Sequence, residues 1–471
     1  MDTSIPIRNP RNGKIDYTIT PPTEQQLTDL CGHLRQHQKQ WVLGGLQQRI
    51  EVLQTWKQAI KADQAELLEA LITDTGRKSE SILEIDSLIS GIDRWCRLAP
   101  QLLAPEAERT TAIPFINLQH QSIAYPLVGV ISPWNFPLLL STIDTIPALM
   151  AGCAVIVKPS EIAPRFIQPL IKTISTVPLL RDVLAYIEGA AETGANLIQK
   201  VDLICFTGSV ATGKKVAAAA AKQFIPAFLE LGGKDAAIVL ESANLEEATS
   251  AILWGSVVNN GQSCLSLERV YVAESIFESF VEQLTAKAQR LKLAYPTFED
   301  GQIGPIISAS QAEIMATHLE DARYKGAKIH CGGEVELLEG GFWCLPTVLS
   351  EVNHSMKIMS EETFGPIMPV MAFSSVEEGI RLANDSIYGL SAAVFAASTE
   401  EALAVAADLE AGAISINDAG LTAFIHEGEK NSFKFSGLGG SRMGAAALQR
   451  FRRKKALLVK TQSMADPWWF K

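Results

Sequence analysis

Cys264 ends the small-residue segment Gly261-Gln262-Ser263-Cys264, and 34 positions before it Glu230 stands in Leu229-Glu230-Leu231-Gly232-Gly233-Lys234. A thiolate can attack a carbonyl carbon, and a carboxylate can then activate water against the resulting thioester. Six other cysteines, at 31, 96, 153, 205, 331 and 344, compete for the first role. Context separates them. The polar run Asn259-Asn260-Gly261-Gln262-Ser263 leads into Cys264, whereas Cys153 and Cys205 stand in apolar stretches and read as inert core thiols. Glycines 232 and 233 strip bulk from around Glu230, which weighs against a carboxylate that merely ends a helix or strand.

Such groups must be held by regular elements. From Thr23 to about Leu103 apolar residues recur at three and four positions, a helical pattern, and Thr23 after Pro21-Pro22 marks a helix start. Val128 to Ser132, Ala154 to Val157 and Leu203 to Phe206 read as short buried strands; Pro133–Pro137 breaks the first and Lys158-Pro159 the second. An Ala-rich helix is predicted from about Gly213 to Lys222. Ala236 to Leu240, Val270 to Val272, Ile367 to Phe373, Ala392 to Phe395 and Ala413 to Asn417 repeat the strand pattern. Short strands alternating with amphipathic helices imply an α/β fold with doubly wound parallel sheets. At 471 residues the chain exceeds one core, and two α/β domains with interleaved connections are expected.

Composition narrows the function. A net charge of −11 argues against a nucleic-acid partner, and the basic run Arg450 to Lys455 reads as a solvated or interface face. An odd number of scattered cysteines without CxxC fits a reducing, cytoplasmic setting, and the absence of HExxH or clustered ligands predicts no metal. The N-terminus lacks the basic and apolar regions of a signal peptide. The stretch Leu138 to Ala151 is interrupted by Ser141, Thr142, Asp144 and Thr145, so no transmembrane segment is expected.

GxGxxG is absent. Instead Phe206-Thr207-Gly208-Ser209-Val210-Ala211-Thr212-Gly213 puts two glycines between a strand and a helix. Such a turn lets backbone approach a pyrophosphate, or simply allows a tight turn and close helix packing. Taken together, the ELGGK and GQSC segments, this FTGS turn, Asn135 in Pro133-Trp134-Asn135-Phe136-Pro137, and Glu361-Glu362-Thr363-Phe364-Gly365-Pro366 resemble the aldehyde dehydrogenase superfamily. The resemblance runs from about Asn9 to Lys460.

That resemblance implies an NAD-binding Rossmann-like domain (1–105 and 125–232), a catalytic domain (233–435) and a small oligomerisation sheet from 106–124 and 436–471, shared in a dimer or tetramer. It implies Cys264 as nucleophile, Glu230 as base for the hydrolytic water, and Asn135 with the Cys264 backbone N–H as oxyanion donors. The cofactor's path would follow Ile131, Ser132, Trp134, Lys158, Ser160, Glu161, Phe206, Gly208, Ser209, Thr212, Leu231, Gly232, Glu362 and Phe364. Glu362 would hold the nicotinamide ribose and Phe364 would pack beside the ring. Glu161, after the second strand, can accept hydrogen bonds from both adenosine ribose hydroxyls and would repel a 2′-phosphate, favouring NAD, with NADP the alternative. Lys158 could donate to the same ribose.

The substrate implied is a small-molecule aldehyde, with Phe136, Leu140, Ile143, Leu265 and Phe424 around its tunnel; these apolar walls suit medium-chain aliphatic or aromatic aldehydes. His426, Lys430 and Lys434 keep an acidic semialdehyde in play. An acyl transfer to coenzyme A is disfavoured because acylating relatives generally lack the ELGGK glutamate, and a non-catalytic protein of this fold would have lost Cys264, Asn135 or Glu230. Two departures from the family pattern stand near the expected entrance or proton path: Glu429-Lys430-Asn431-Ser432 replaces PFGG, and Asp144 replaces a frequent lysine. The terminal Asp466-Pro467-Trp468-Trp469-Phe470-Lys471 predicts an aromatic tail docked at a subunit boundary.

Overall fold

The computed structural model describes residues 4–463; the aromatic tail lies outside the described residues. Two open sheets carry the chain. The first has six strands in the order Gly437–Leu438, Ala227–Glu230, Leu203–Thr207, Leu127–Ile131, Ala154–Lys158, Leu184–Tyr186. All pair in parallel except Gly437–Leu438. The chain enters at Leu127–Ile131, winds outward to Leu184–Tyr186, and then returns to Leu203–Thr207 on the other side. A crevice therefore opens where the winding reverses, beyond the carboxyl ends of Leu127–Ile131 and Leu203–Thr207.

The four helices Glu24–Leu43, Gly45–Ala62, Gln64–Thr75 and Ser79–Leu102 precede this sheet. The helix start read at Thr23 is a reciprocal cap: Gln26 N–H donates to Thr23 Oγ1 at 3.2 Å and Thr23 N–H to Gln26 Oε1 at 2.8 Å. Trp41, Trp56, Leu53, Ile85 and Leu88 are buried with the strand residues Val128 and Val155 in one continuous core. The uninterrupted apolar runs of the central strands follow, because both faces of the sheet are covered.

The second sheet has seven strands in the order Lys328–Cys331, Thr347–Ser350, Ile367–Phe373, Leu267–Ala273, Asp235–Val239, Ser391–Phe395, Ala413–Ile416, parallel except for Lys328–Cys331. Separate apolar cores cover its faces, one around Tyr271, Met315 and Met359, the other around Phe280, Val270 and Phe395. A third, separate sheet is antiparallel and built from Arg109–Thr110, Ile116–Ala124 and Arg452–Lys460, paired from Arg452↔Ala124 to Lys460↔Ile116. No helix among the described residues is long and apolar enough to cross a membrane.

Three expectations change, and one element is new. The helix after the third strand starts at Val210, not Gly213, because Ser209 caps it by accepting from Thr212 N–H. Gly437–Leu438, assigned from sequence to the outlying segment, pairs with Leu229 and Glu230 and extends the first sheet. The basic run is not one solvated face: Arg450 is buried in an ion pair with Asp144, while Arg452 to Lys455 lie in an edge strand. The hairpin Ile5–Arg8 with Ile15–Ile19 was not anticipated. Beside it Arg8 and Arg11 donate to the carbonyls of Gly340, Ala294 and Pro296 and so tie the N-terminus to the second unit.

Candidate active site

Ile131 pairs in register with both Lys158 and Phe206, so three of the expected cofactor residues stand side by side at the carboxyl edge of the first sheet. Ser132 N–H donates to Lys158 O at 3.2 Å, and its buried hydroxyl has no partner among the described residues. The following turn is Thr207-Gly208-Ser209. A Cβ on Gly208 would stand 2.6 Å from the Phe206 ring and would have to displace it, and Gly208 N–H donates to Glu230 O. Gly213 plays the packing role instead: inside the helix, its missing Cβ makes room for Leu231.

Lys158 is buried, and its ammonium donates to Pro159 O at 2.9 Å and Gly189 O at 2.6 Å, with Glu161 at 3.5 Å. Little donor capacity is left for a ribose. Burial pulls Lys158 below the usual lysine range, opposed by Glu161. The Glu161 side chain keeps 36% of its surface, so its carboxylate still reaches outward. Ser160 Oγ accepts from Ile162 N–H, shaping the loop that carries Glu161.

On the chemical side, Asn135 and Cys264 are clamped together. Asn135 Nδ2 donates to Gln262 O at 2.9 Å, while Asn135 O accepts from Arg77 Nη2 and from Asn259 Nδ2, each at 3.0 Å. Gln262 in turn donates to Asn259 O and Pro305 O and accepts from Ile307 N–H. Asn259, Asn260 and Gly261 all take positive φ, at 59°, 55° and 67°, which turns the chain sharply into Cys264. At Gly261 a Cβ would collide with the Gly365 backbone at 2.2 Å. The Cys264 N–H finds no acceptor among the described residues and remains available to an oxyanion. Burial pushes the Cys264 thiol up to about 12; Lys430 opposes this, and Asp235 and Glu362 add to it.

The two glycines after Glu230 have a different purpose from the one read in the sequence. A Cβ at Gly232 would stand 2.4 Å from Glu362 Oε2, and one at Gly233 would stand 2.5 Å from Cys264 O. They admit the second unit's carboxylate and the Cys264 backbone, not free space around Glu230. Gly233 N–H donates to Glu362 Oε1 at 3.0 Å. Lys234 is buried against Glu268 at 2.7 Å, and the same carboxylate accepts from Thr363 and Phe364 N–H at 2.7 Å each. That buried pair fixes Phe364, at φ 54°, with its ring edge-on to Trp134 at 5.5 Å. Burial, and next the charge of Glu268, raise Glu362 to about 8.

A cavity of about 120 Å³ brings these groups together. Asn135, Glu230 and Cys264 line it, along with Trp134, Leu140, Gly208, Ser209, Leu231, Gly232, Glu362 and Phe364. Sequence reasoning did not anticipate Pro133, Thr207 and Gln311, which line it too. It also missed Arg77, Gln262 and Ser432, which orient the catalytic candidates; their partners are 58 or more positions away, beyond any local pattern. Glu230 Oε2 accepts from Ser432 Oγ at 3.1 Å. Ile131, Ser132, Lys158, Ser160, Glu161 and Phe206 lie along the sheet edge and following turns, and Thr212 in the first turn of the helix Val210–Gln223, all outside the cavity wall.

Of the expected substrate residues, Leu140 alone lines the cavity. Phe136 lies under the Arg77 guanidinium at 5.7 Å, and Ile143 and Leu265 are half-buried. Phe424 packs on Trp254 at 5.8 Å while remaining 53% exposed. Lys434 is withdrawn from substrate recognition, because its ammonium is spent on Glu410 and Asn384 O, each at 2.6 Å. Burial, then Arg94, lower His426, which disfavours its charged form. Lys430 is the one of the three whose charge acts on the thiol.

The aldehyde dehydrogenase family profile matches residues 1–457. Over 99% of this chain and all of that one, the fold superposes on PutA from Anabaena variabilis with a TM-score of 0.98 at 66% identity. Betaine aldehyde dehydrogenase from Staphylococcus aureus, solved in complex with NAD+, matches with a TM-score of 0.92 at 29% identity over 99% of this chain and 94% of that one. The 4,4'-diapolycopene aldehyde oxidase of a Methylomonas species is 36% identical over 425 residues, 88% of this chain and 78% of its own. Other relatives are named for aminoaldehydes, betaine aldehyde and succinate semialdehyde.

Proposed function

The chain belongs to the aldehyde dehydrogenase family, and from that premise we propose that it oxidises an aldehyde to the carboxylic acid with NAD, using Cys264, Glu230 and Asn135. The observation that carries this reading is that all three, from three separate segments, line one cavity. Cys264 Sγ, once deprotonated, bonds to the aldehyde carbon. The oxyanion that forms is held by the Cys264 N–H and by the Asn135 amide, whose position the Gln262 and Arg77 contacts fix. NAD, when bound, accepts the hydride that leaves a thioester on Cys264. Glu230 then takes a proton from water, the water oxygen bonds to the acyl carbon, and the C–S bond breaks.

The residues present suit a dinucleotide. The Gly208 turn, where a Cβ would have to displace the Phe206 ring, leads into a capped helix N-terminus, which favours an anionic group. The cleft continues past Leu231 and Gly232 to Glu362 and Phe364, and the Ser132 hydroxyl lies unpaired near the sheet edge. Glu161 keeps an exposed carboxylate just after the strand Ala154–Lys158, which supports the reading that a ribose 2′-phosphate would meet a negative charge there. NAD is expected to give the higher kcat/KM. Glu161→Ser should move the NAD-to-NADP preference by about tenfold, the equivalent of ~1.4 kcal/mol. Steady-state kinetics with both cofactors check this, and a wild-type preference for NADP would overturn the role given to the carboxylate.

For the substrate, the apolar Leu140 in the cavity wall supports medium-chain aliphatic or aromatic aldehydes, and the exposed Trp254–Phe424 pair outside it is a further apolar surface. Each added methylene is expected to raise kcat/KM by about fourfold until the pocket is full, from ~0.8 kcal/mol per buried CH₂. A series from acetaldehyde to decanal, run beside succinic semialdehyde, checks it. The second reading, an acidic semialdehyde, is favoured by Lys430 alone; a highest kcat/KM on the semialdehyde would establish it. The edge strand Arg452–Lys460, with Leu458 70% exposed, supports self-association as a dimer or tetramer.

A further inference from the structure

Asp144 is buried between two arginines from the far end of the chain, one of which also holds the cavity-lining Thr207. Arg442 Nη2 donates to its Oδ2 at 2.9 Å, and Arg450 Nη2 pairs with its Oδ1. The same Arg442 nitrogen donates to Thr207 Oγ1 at 2.6 Å. Arg442 is therefore gripped through Nη2, while its buried Nε has no hydrogen-bond partner among the described residues. That nitrogen lies 4.0 Å from Glu230 Oε1, just beyond hydrogen-bond distance, and the other Glu230 oxygen is held by Ser432. Thr207 and Glu230 are register partners on adjacent strands, so the anchor and the target of Arg442 move as one unit. Asp144 and Glu230 balance the two guanidinium charges.

An unpaired buried N–H is costly, and a carboxylate is the acceptor that repays it best. We propose that Arg442 is a positioning residue for the hydrolytic half-reaction: fixed by Asp144 and Thr207, it docks the Glu230 carboxylate through its free Nε–H. This rests on the reading of Glu230 as the base. In the step concerned, a water proton moves to Glu230, the water oxygen bonds to the acyl carbon, and the C–S electron pair returns to sulfur. Glu230 then passes its proton to the departing Cys264 sulfur. A guanidinium held in place attracts Glu230 only as a carboxylate, so it favours that last transfer and readies the base for the next cycle. Burial pulls Arg442 down, but Asp144 and then Glu230 raise it by more, as this coupling requires.

The test combines the pre-steady-state NADH burst with steady-state turnover for Arg442→Lys and Arg442→Met, each alone and with Glu230→Gln. A lysine ammonium can keep Asp144 and Thr207 but has no second nitrogen for Glu230. Both variants should keep the burst rate and lose turnover about tenfold. In the Glu230→Gln background, Arg442→Lys should add less than about twofold. A burst and turnover that fall in parallel, a fully active Arg442→Lys, or an undiminished loss in the Glu230→Gln background would overturn the proposal. Should the arginine variants not fold, Asp144→Asn reads the same quantity: slower turnover with the burst kept is expected, and unchanged turnover would overturn it. A Glu230→Gln protein with neither burst nor slowed turnover would instead refute the base assignment itself.

Discussion

Replacing Cys264 with alanine is expected to lower aldehyde oxidation by at least about 10⁴-fold while leaving NAD affinity nearly unchanged, because it removes the covalent route and no cofactor contact. NADH formation at 340 nm and cofactor titration measure the two quantities. The thiol also has a pH signature. Burial raises Cys264 to about 12, so the thiolate is the minor form at neutral pH and its fraction grows about tenfold per pH unit below that value. Alkylation by iodoacetamide without cofactor should therefore keep rising through pH 9. A plateau near pH 7, or trapped substrate found by mass spectrometry on Cys153 or Cys205, would show that the nucleophile or its environment is misassigned. Both alternatives are buried, and burial raises their thiols even further.

For Glu230→Gln, a burst of NADH close to one equivalent per site followed by slow turnover is expected, with steady-state kcat down about 10²–10³-fold. Glutamine preserves the shape and the hydrogen bond from Ser432 but cannot take a proton from water. Hydride transfer should then outrun thioester hydrolysis. An unchanged steady-state rate across pH would remove Glu230 from the mechanism.

Much of the scaffold could be read locally. The strand at Ile367–Phe373 falls where its apolar run predicts it, and the helix beginning after Thr23 carries the cap its sequence spells. The chemical motifs were legible for a related reason: Asn259, Asn260 and Gly261 form a polar turn whose positive φ values are features that those residue types tolerate. The glycines of the ELGGK segment were visible but misread. Their neighbours, Glu362 and the Cys264 carbonyl, come from the other sheet, so no local pattern could say what occupies the missing side chains.

Asp144 shows the same boundary more sharply. In sequence it is a departure from the family pattern; in the fold it is the buried anchor of Arg442, 298 positions away, whose Nε lies 4.0 Å from Glu230 Oε1. Lys434 fails in the opposite direction, a charge near the expected entrance that Glu410 has already claimed. By itself the sequence determined which elements form and which side chains can do chemistry, because backbone preference, apolar periodicity and reactivity belong to a residue and its near neighbours. Only the tertiary structure decided which charges are paired and which glycines are filled. It also left the buried Arg442 Nε, like several other donors, without a hydrogen-bond partner among the described residues, because pairing depends on distances between segments that the chain order does not contain.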